Sequence, residues 1–353
     1  MKNKLVNLII GIIALGLTLV FAELVYRALL FHGPSCLENL RDPGLYAEGD
    51  SNDDYWKLRV AFGGTPARRN DPLLGHIKSD IMPNTYSHAN AGEIGSRTPV
   101  LLYGDSFAGC AVRGEDCFEG ILNSNREFSA KYYLINYGVG SYGLDQIYLL
   151  YEKTIGLYDN PIVVFSLLDA DIDRCLLTMR EGQKPYFTMI NGQLALRGLP
   201  IETDQRKFFA DRPVAITSYL WRLVMFRMFP GSNDANSPSD PERSEKKKLA
   251  EAILLKVSRD LDARGLKHVF LVFEGLHRTW KPINWRIVFL NELFSKHEMP
   301  RIWARKAIER SCAAKDFDHR KYIVSIADPH PNRLANTIVS ERIIEWLMSG
   351  RTD

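Results

Sequence analysis

Two short segments at opposite ends of the chain carry the residue types of nucleophilic acyl chemistry. Residues 100–103, Val-Leu-Leu-Tyr, read as a buried strand that runs into Gly104-Asp105-Ser106-Phe107. Ligands of open α/β sheets bind at the carboxyl ends of the strands. A serine at that point is exposed on the rim, and its own N–H can help hold an oxyanion. Gly-Asp-Ser alone is a weak signal; its place directly after a strand gives it weight. Near the C-terminus, Asp328-Pro329-His330-Pro331-Asn332 lies between a strand-like segment, 322–326, and an amphipathic helix, 332–348. A serine hydroxyl is a poor nucleophile without a base, and histidine is the side chain suited to that task near neutrality. A carboxylate two residues away can hold the imidazole in one tautomer and stabilise its charged form. The bland reading of His330, a surface histidine beside a helix cap, loses ground once Ser106 is set against it. Ser106 is therefore the expected nucleophile, His330 its base and Asp328 the carboxylate that orients the base.

Both segments need a scaffold that brings them to one rim. Short apolar runs bounded by Gly, Asp, Asn or Pro occur at 100–103, 132–136, 162–168, 268–273 and 322–326. Such continuous runs suit strands buried on both faces. Helical patterns occur at 119–125, 144–158, 248–264, 288–295 and 332–348. The alternation predicts an α/β fold, a three-layer sandwich around a central parallel five-stranded sheet of flavodoxin-like type. The domain is expected over 99–349, with an insertion at 175–247 and an irregular lead-in at 33–98. The insertion begins with an aromatic, Pro-containing stretch with Lys-Pro-Tyr-Phe at 184–187 and a turn at Asn191-Gly192; a polar stretch, 231–248, reads as a surface loop with a solvated lysine run. Tyr186, Phe187, Phe208, Phe209, Tyr219 and Trp221 either wall a substrate site or pack the insertion's own core, the commoner role. Asn136 and Gln146 read as structural, and His268 and His277 receive no role.

The N-terminus is of another kind. Lys2 and Lys4 precede LVNLIIGIIALGLTLVFA at 5–22, a run without charge. About 18–20 apolar residues are needed for a helix to cross the hydrocarbon core. Lysines ahead of the span place the N-terminus inside. The expectation is a single-pass anchor in the cytoplasmic membrane, residues 1–32, with the domain facing the periplasm or the cell exterior. The run exceeds the apolar region of a secretory signal; a cleaved signal ending at Val20-Phe21-Ala22 is the alternative. A net charge of +3, with Lys and Arg scattered, argues against a nucleic-acid partner. Five cysteines without zinc spacing, and no Walker or GxGxxG loop, give no reason to expect a metal or cofactor. In an oxidising compartment Cys110 and Cys117 either close a short loop beside Ser106 or remain buried free thiols.

Taken together, GDSF at 104–107, NYGVGSYG at 136–143 and DPHPN at 328–332 resemble the nucleophile, second and final blocks of the GDSL/SGNH hydrolase family. DPLLG at 71–75 and the N-terminal run resemble its membrane-anchored bacterial members, so the likeness spans residues 71–347. It implies a serine esterase or O-acyltransferase whose substrate is an acylated carbohydrate or lipid of the envelope. It also implies an oxyanion site from the backbone N–H groups of Ser106 and of Ser141 or Gly140. Two departures stand out. Ser141 occupies the place of the family's usual glycine donor. The third block offers no Asn but Asp169-Ala170-Asp171-Ile172-Asp173-Arg174, and an unpaired carboxylate there would repel an oxyanion unless a group such as Arg174 neutralises it. The alternative these departures motivate is a catalytically weak or inactive SGNH-like module that binds or assembles envelope polysaccharide.

Overall fold

A computed structural model describes residues 2–47, 49, 51–64, 69–202, 204–228, 242–275, 284–312 and 318–353. The chain forms two compact units. The larger comprises Arg68–Thr178, Gln183–Ile201 and Pro238–Asp353; the smaller comprises Met1–Ala67, Met179–Gly182 and Glu202–Ser237.

The larger unit is built on β1 (Thr98–Gly104), β2 (Tyr132–Gly138), β3 (Ile162–Leu168), β4 (His268–Phe273) and β5 (Arg301–Trp303). All five are parallel, in the order β2-β1-β3-β4-β5. Successive side chains of a strand point to opposite faces, and both faces are covered. Leu101, Tyr103, Ile135, Phe165 and Phe270 meet Leu144–Thr154, Arg243–Ala263 and Trp285–Lys296 on one face. Val100, Leu102, Leu134, Val164 and Leu271 meet Phe118–Ser124, Ala304–Ser311 and Arg333–Ser349 on the other. Each such side chain, fully buried, contributes about 1.5–3 kcal/mol. The expected three-layer α/β architecture with a five-stranded parallel sheet is therefore present. The strand order reverses about β1, so the crevice at the carboxyl edge opens where Ser106 follows β1.

The fifth strand is not the expected one. Residues 322–326 fold back on their own loop: Val324 N–H donates to the His330 carbonyl at 2.9 Å, and Asn332 N–H to that of Tyr322 at 3.0 Å. Tyr322 and Ile323 are buried, whereas Val324 and Ile326 are 41% and 80% exposed. An edge position asks less of a strand than a central one, and three residues, Arg-Ile-Trp, suffice beside β4. A second correction concerns the lysine run. The helix Arg243–Ala263 begins five residues before the expected start, and Lys246 is buried 3.7 Å from Asp173 rather than solvated. Residues 231–241 lie outside the described set.

Two hairpins support the sheet's neighbours. In the lead-in, Arg69–Asp71 pairs with Gly75–Ile77, and Asp71 Oδ1 accepts from Leu73 N–H, Leu74 N–H and Tyr86 Oη–H. In the insertion, Tyr186–Ile190 pairs with Gln193–Arg197 across Asn191 and Gly192, both at positive φ. That is the turn an Asn-Gly pair predicts. Phe187 from this hairpin packs against Tyr148 in the main core, which is structural work rather than a substrate wall.

The smaller unit carries the helix Lys2–His32. Its side chains from Leu5 to Phe21 are exposed, and an 18-residue stretch within Lys4–His32 with mean hydropathy 2.6 makes it long and apolar enough to cross a membrane. Arg41 donates to the carbonyls of Leu30 and Gly33 and so closes the helix's last turn. Leu30, Tyr46, Leu58 and Tyr219 form a small core around that end.

Cys110 and Cys117 are joined as a disulfide; Cys36, Cys175 and Cys312 are free thiols. The bond closes a loop of sequence separation seven. Replacing both cysteines by serine is expected to cost about 2–3 kcal/mol by loop-closure entropy. Denaturant midpoints with and without reductant check this: the wild type should shift on reduction and the double variant should not.

Candidate active site

Ser106, His330 and Asp328 come together. Ser106 Oγ lies 2.9 Å from His330 Nε2, across a sequence separation of 224. His330 Nδ1 is hydrogen-bonded to Asp328 Oδ1, and the His330 N–H also donates to that oxygen at 3.3 Å. The carboxylate fixes the proton on Nδ1, which leaves Nε2 as an acceptor for the serine hydroxyl. The hydrogen bond from His330 holds the Asp328 carboxyl below the usual aspartate range, so it stays ionised in mild acid. The imidazole also packs against the Phe107 ring, 5.2 Å between centroids.

Local sequence explains how each group is presented. Asp105 caps the turn after β1: its Oδ1 accepts from Phe107 N–H at 2.9 Å, and Ser106 begins a four-residue helix. First-turn N–H groups have no intrahelical acceptor, so the Ser106 N–H has the local setting of an oxyanion donor. Gly104 is required by packing, since a Cβ there would lie 2.6 Å from Ala108 Cβ. The His330 loop is held by Asn332, whose Nδ2 donates to the Lys321 and Ile323 carbonyls while Oδ1 caps the last helix at Ala335 N–H. One turn on, buried Asn336 donates to the Asp116 carbonyl at 3.0 Å, tying that helix to the disulfide loop that follows the nucleophile.

Beneath the site lies a buried ionic cluster. Arg174 Nη1 donates to Asp105 Oδ2 at 3.0 Å, to the Tyr142 carbonyl at 2.8 Å and to Asp171 Oδ1. All three charged side chains are buried. One guanidinium thus joins the turn that bears Ser106, the loop that bears Ser141 and the Asp cluster at 169–173. The other carboxylates of that cluster are engaged as well. Asp173 pairs with Arg286 and Lys246, and Asp169 accepts from Asn284 Nδ2. Arg174, Arg286 and Lys246 offset the charge of Asp171 and Asp173, while Asp169 keeps its charge on a neutral amide donor.

Gly140 and Ser141 follow β2 on the same edge. Their loop is brought against the nucleophile turn because Gly138 and Gly109 let the two backbones meet; a Cβ on Gly138 would stand 2.3 Å from Gly109 N. Val139 N–H donates to the Gly104 carbonyl at 3.0 Å. Asn136 fastens the same junction, donating to the Ala108 carbonyl and accepting from Gly138 N–H. Ser141 takes φ +69°, a left-handed backbone that glycine adopts freely and serine at a cost of about 1–3 kcal/mol. From the lead-in hairpin, buried His76 donates from Nε2 to the Gly140 carbonyl at 3.0 Å, and Tyr142 Oη–H donates to the His76 carbonyl. Gln146 Nε2 donates to the Leu74 carbonyl at 2.7 Å.

Two features escaped sequence reasoning. Glu274 directly follows β4 on the carboxyl edge, 3.6 Å from Arg305. Burial, with Asp169 nearby, pushes its carboxyl up to about 7 against the pull of Arg305. The available signal was an acidic residue straight after an apolar strand. A shallow groove of about 560 Å³ lies beside the site, lined by Val112, Asp116, Val324, Arg333, Leu334 and Thr337 among others. Ser106 and His330 do not line it. Among the described residues no group of three or more His, Cys, Asp or Glu side chains could hold a metal ion. His268 lies at the start of β4 and His277 is outside the described residues.

Arg174→Met strands two buried carboxylates and should destabilise the protein by about 3–5 kcal/mol, read as a lowered urea midpoint. Arg174→Lys should recover part of that loss, since an ammonium lacks the planar fork. Glu274 binds its proton more tightly when folded, so its contribution is full below about pH 4.5 and is lost as pH rises through about 7. Glu274→Gln should therefore gain on the wild type by up to about 3 kcal/mol between pH 4.5 and 8. Melting temperatures of the two proteins at pH 5 and pH 8 check the sign; a variant-minus-wild-type difference that falls from pH 5 to pH 8 would contradict it.

No family model matches the chain, and no curated protein matches it. Solved structures do. An acetyl xylan esterase aligns at 16% identity and TM-score 0.40, over 71% of this chain and 99% of its own. A member of the lipolytic protein G-D-S-L family from Veillonella parvula aligns at 10% identity and TM-score 0.40, over 71% and 99%. An acetylxylan esterase from Geobacillus stearothermophilus, as a catalytic mutant, aligns at 12% identity and TM-score 0.38, over 71% and 94%.

Proposed function

We propose that this chain is a serine-dependent acyl ester hydrolase or O-acyltransferase, anchored in the cytoplasmic membrane and acting outside the cytoplasm on acylated envelope glycans or lipids. The observation that carries the reading is the Ser106 Oγ to His330 Nε2 contact of 2.9 Å, with Asp328 on the far nitrogen of the same ring. Ser106 Oγ attacks the ester carbonyl while His330 Nε2 takes its proton. The tetrahedral oxyanion is held by the N–H groups of Ser106 and of Ser141 or Gly140. Collapse breaks the ester C–O bond, His330 returns the proton to the leaving alcohol, and the acyl group stays on Ser106. A second acceptor, deprotonated by His330, then takes the acyl group; water completes hydrolysis and a sugar hydroxyl completes transfer.

The helix Lys2–His32 supports the anchor, being apolar and exposed along Leu5–Phe21. The Cys110–Cys117 bond fits an oxidising compartment. The reading as an inactive binding module drew its support from the absent third-block Asn and from the Asp cluster in its place. Asp171 is held by Arg174 and Asp173 by Arg286 and Lys246, which favours the enzyme over that second reading, although the third block still offers no Asn.

A fluorophosphonate probe should label the wild type and leave Ser106→Ala unlabelled; equal labelling of both would sink the assignment. Asp328→Asn should keep the fold and lower kcat on p-nitrophenyl acetate by about 10³–10⁴-fold. Product analysis of an acetylated oligosaccharide, with and without a second sugar acceptor, separates transfer from hydrolysis.

A further inference from the structure

The helix Tyr219–Met228 is apolar on two opposite sides. Tyr219 and Leu223 face the small core with Leu30, Tyr46 and Leu58. At about 100° per residue, Trp221, Val224 and Met228 fall roughly 140–200° away from Tyr219. They are 62%, 40% and 65% exposed. Arg222 and Arg227 fall between the two sides, at roughly 300° and 80°. A helix facing only water turns polar residues outward; this one turns a tryptophan, a valine and a methionine outward between two arginines.

The same helix is fastened to the end of the apolar run. Glu23, the residue after Ala22, accepts from Tyr219 N–H at 2.9 Å, from Leu220 N–H at 3.1 Å and from Ser218 Oγ–H at 2.9 Å. Arg27 donates to the Thr217 carbonyl at 2.6 Å and lies over the Tyr219 ring at 5.0 Å. Trp221 therefore stands within one helical turn of the point where the run reaches the water boundary. On the long helix, Leu24 and Val25 are exposed at that level too.

We infer that Tyr219–Met228 is an interfacial helix, with Trp221, Val224 and Met228 pressed into the headgroup–acyl boundary of the bilayer and the flanking arginines among lipid phosphates. Tryptophan with flanking arginine is the composition that boundary selects, because each pairs an apolar body with a polar tip. The inference rests on the reading of Lys2–His32 as a membrane anchor. It gives the extramembrane end of that anchor a second hold on the same lipid surface.

The test uses the full chain in phosphatidylcholine–phosphatidylglycerol vesicles, with bromine high in the acyl chains as a quencher. Of the six tryptophans none lies in the 5–22 run, so quenching reports other contacts. The quenched fraction of emission should fall at least twofold in Trp221→Phe, an exposed and conservative change. Equal quenching in both proteins, or none in either, in vesicles that keep the chain through a carbonate wash, overturns the interfacial helix and leaves the anchor standing. Release of the chain by carbonate removes the anchor itself, and the inference with it. An unquenched Trp221 together with dimer cross-links through Trp221→Cys would give this face to a second copy and likewise overturn the proposal.

Discussion

The site depends on one buried guanidinium. Arg174 links Asp105, Asp171 and the Tyr142 carbonyl, and these belong to three loops that leave three adjacent strands. A charge in a dry interior is tolerable only when paired and hydrogen-bonded. Each loop is therefore held where its own acceptor meets the same cation. Asp105 places one oxygen on Arg174 and the other on the N–H after Ser106, so the pairing reaches the Ser106 turn through a single side chain. Lys184 and Asp145 repeat the device below: the lysine also donates to the Arg174 and Leu177 carbonyls, clamping the backbone of the residue that carries the guanidinium.

Around this cluster the carboxyl edge is assembled by close approach. Gly138 and Gly109 remove side chains where the strand end meets the nucleophile turn, and Asn136 replaces the missing contacts with two hydrogen bonds. His76 and Tyr142 tie the Gly140–Ser141 loop to the lead-in hairpin. On the other side, Asn332 and Asn336 bind the His330 loop and the final helix to the disulfide loop. The Ser106 turn is backed by a buried ion pair and the His330 loop by Asn332, and these supports hold a 2.9 Å contact between groups distant in sequence.

The smaller unit follows a different logic. Its core is slight, and its geometry is set by polar closure at the end of a long apolar helix. Arg41 satisfies the last carbonyls, Glu23 satisfies the first N–H groups of Tyr219–Met228, and Arg27 bridges to Thr217. Helix ends left without partners are costly; here one helix supplies the cap of the other.

Much of this was legible in the chain itself. The four longer strands declare themselves as apolar runs because both faces are buried. The 5–22 run is plain from length, Asn191-Gly192 from turn chemistry, and the Ser106 and His330 segments from residue type beside an element boundary. These are local signals, read from neighbours in sequence. Packing decided the rest. Arg301–Trp303 is a strand only because β4 offers it an edge, and 322–326 is not one because its backbone finds partners in its own loop. Lys246 is buried because Asp173 waits for it, and Glu274 holds its proton because burial and Asp169 outweigh Arg305. The sequence by itself determined the four longer strands, the apolar N-terminal run and the candidate Ser106, His330 and Asp328 segments, because those signals are local. Tertiary structure alone decided which charges meet, since the energy of a buried charge is set by partners remote in the chain.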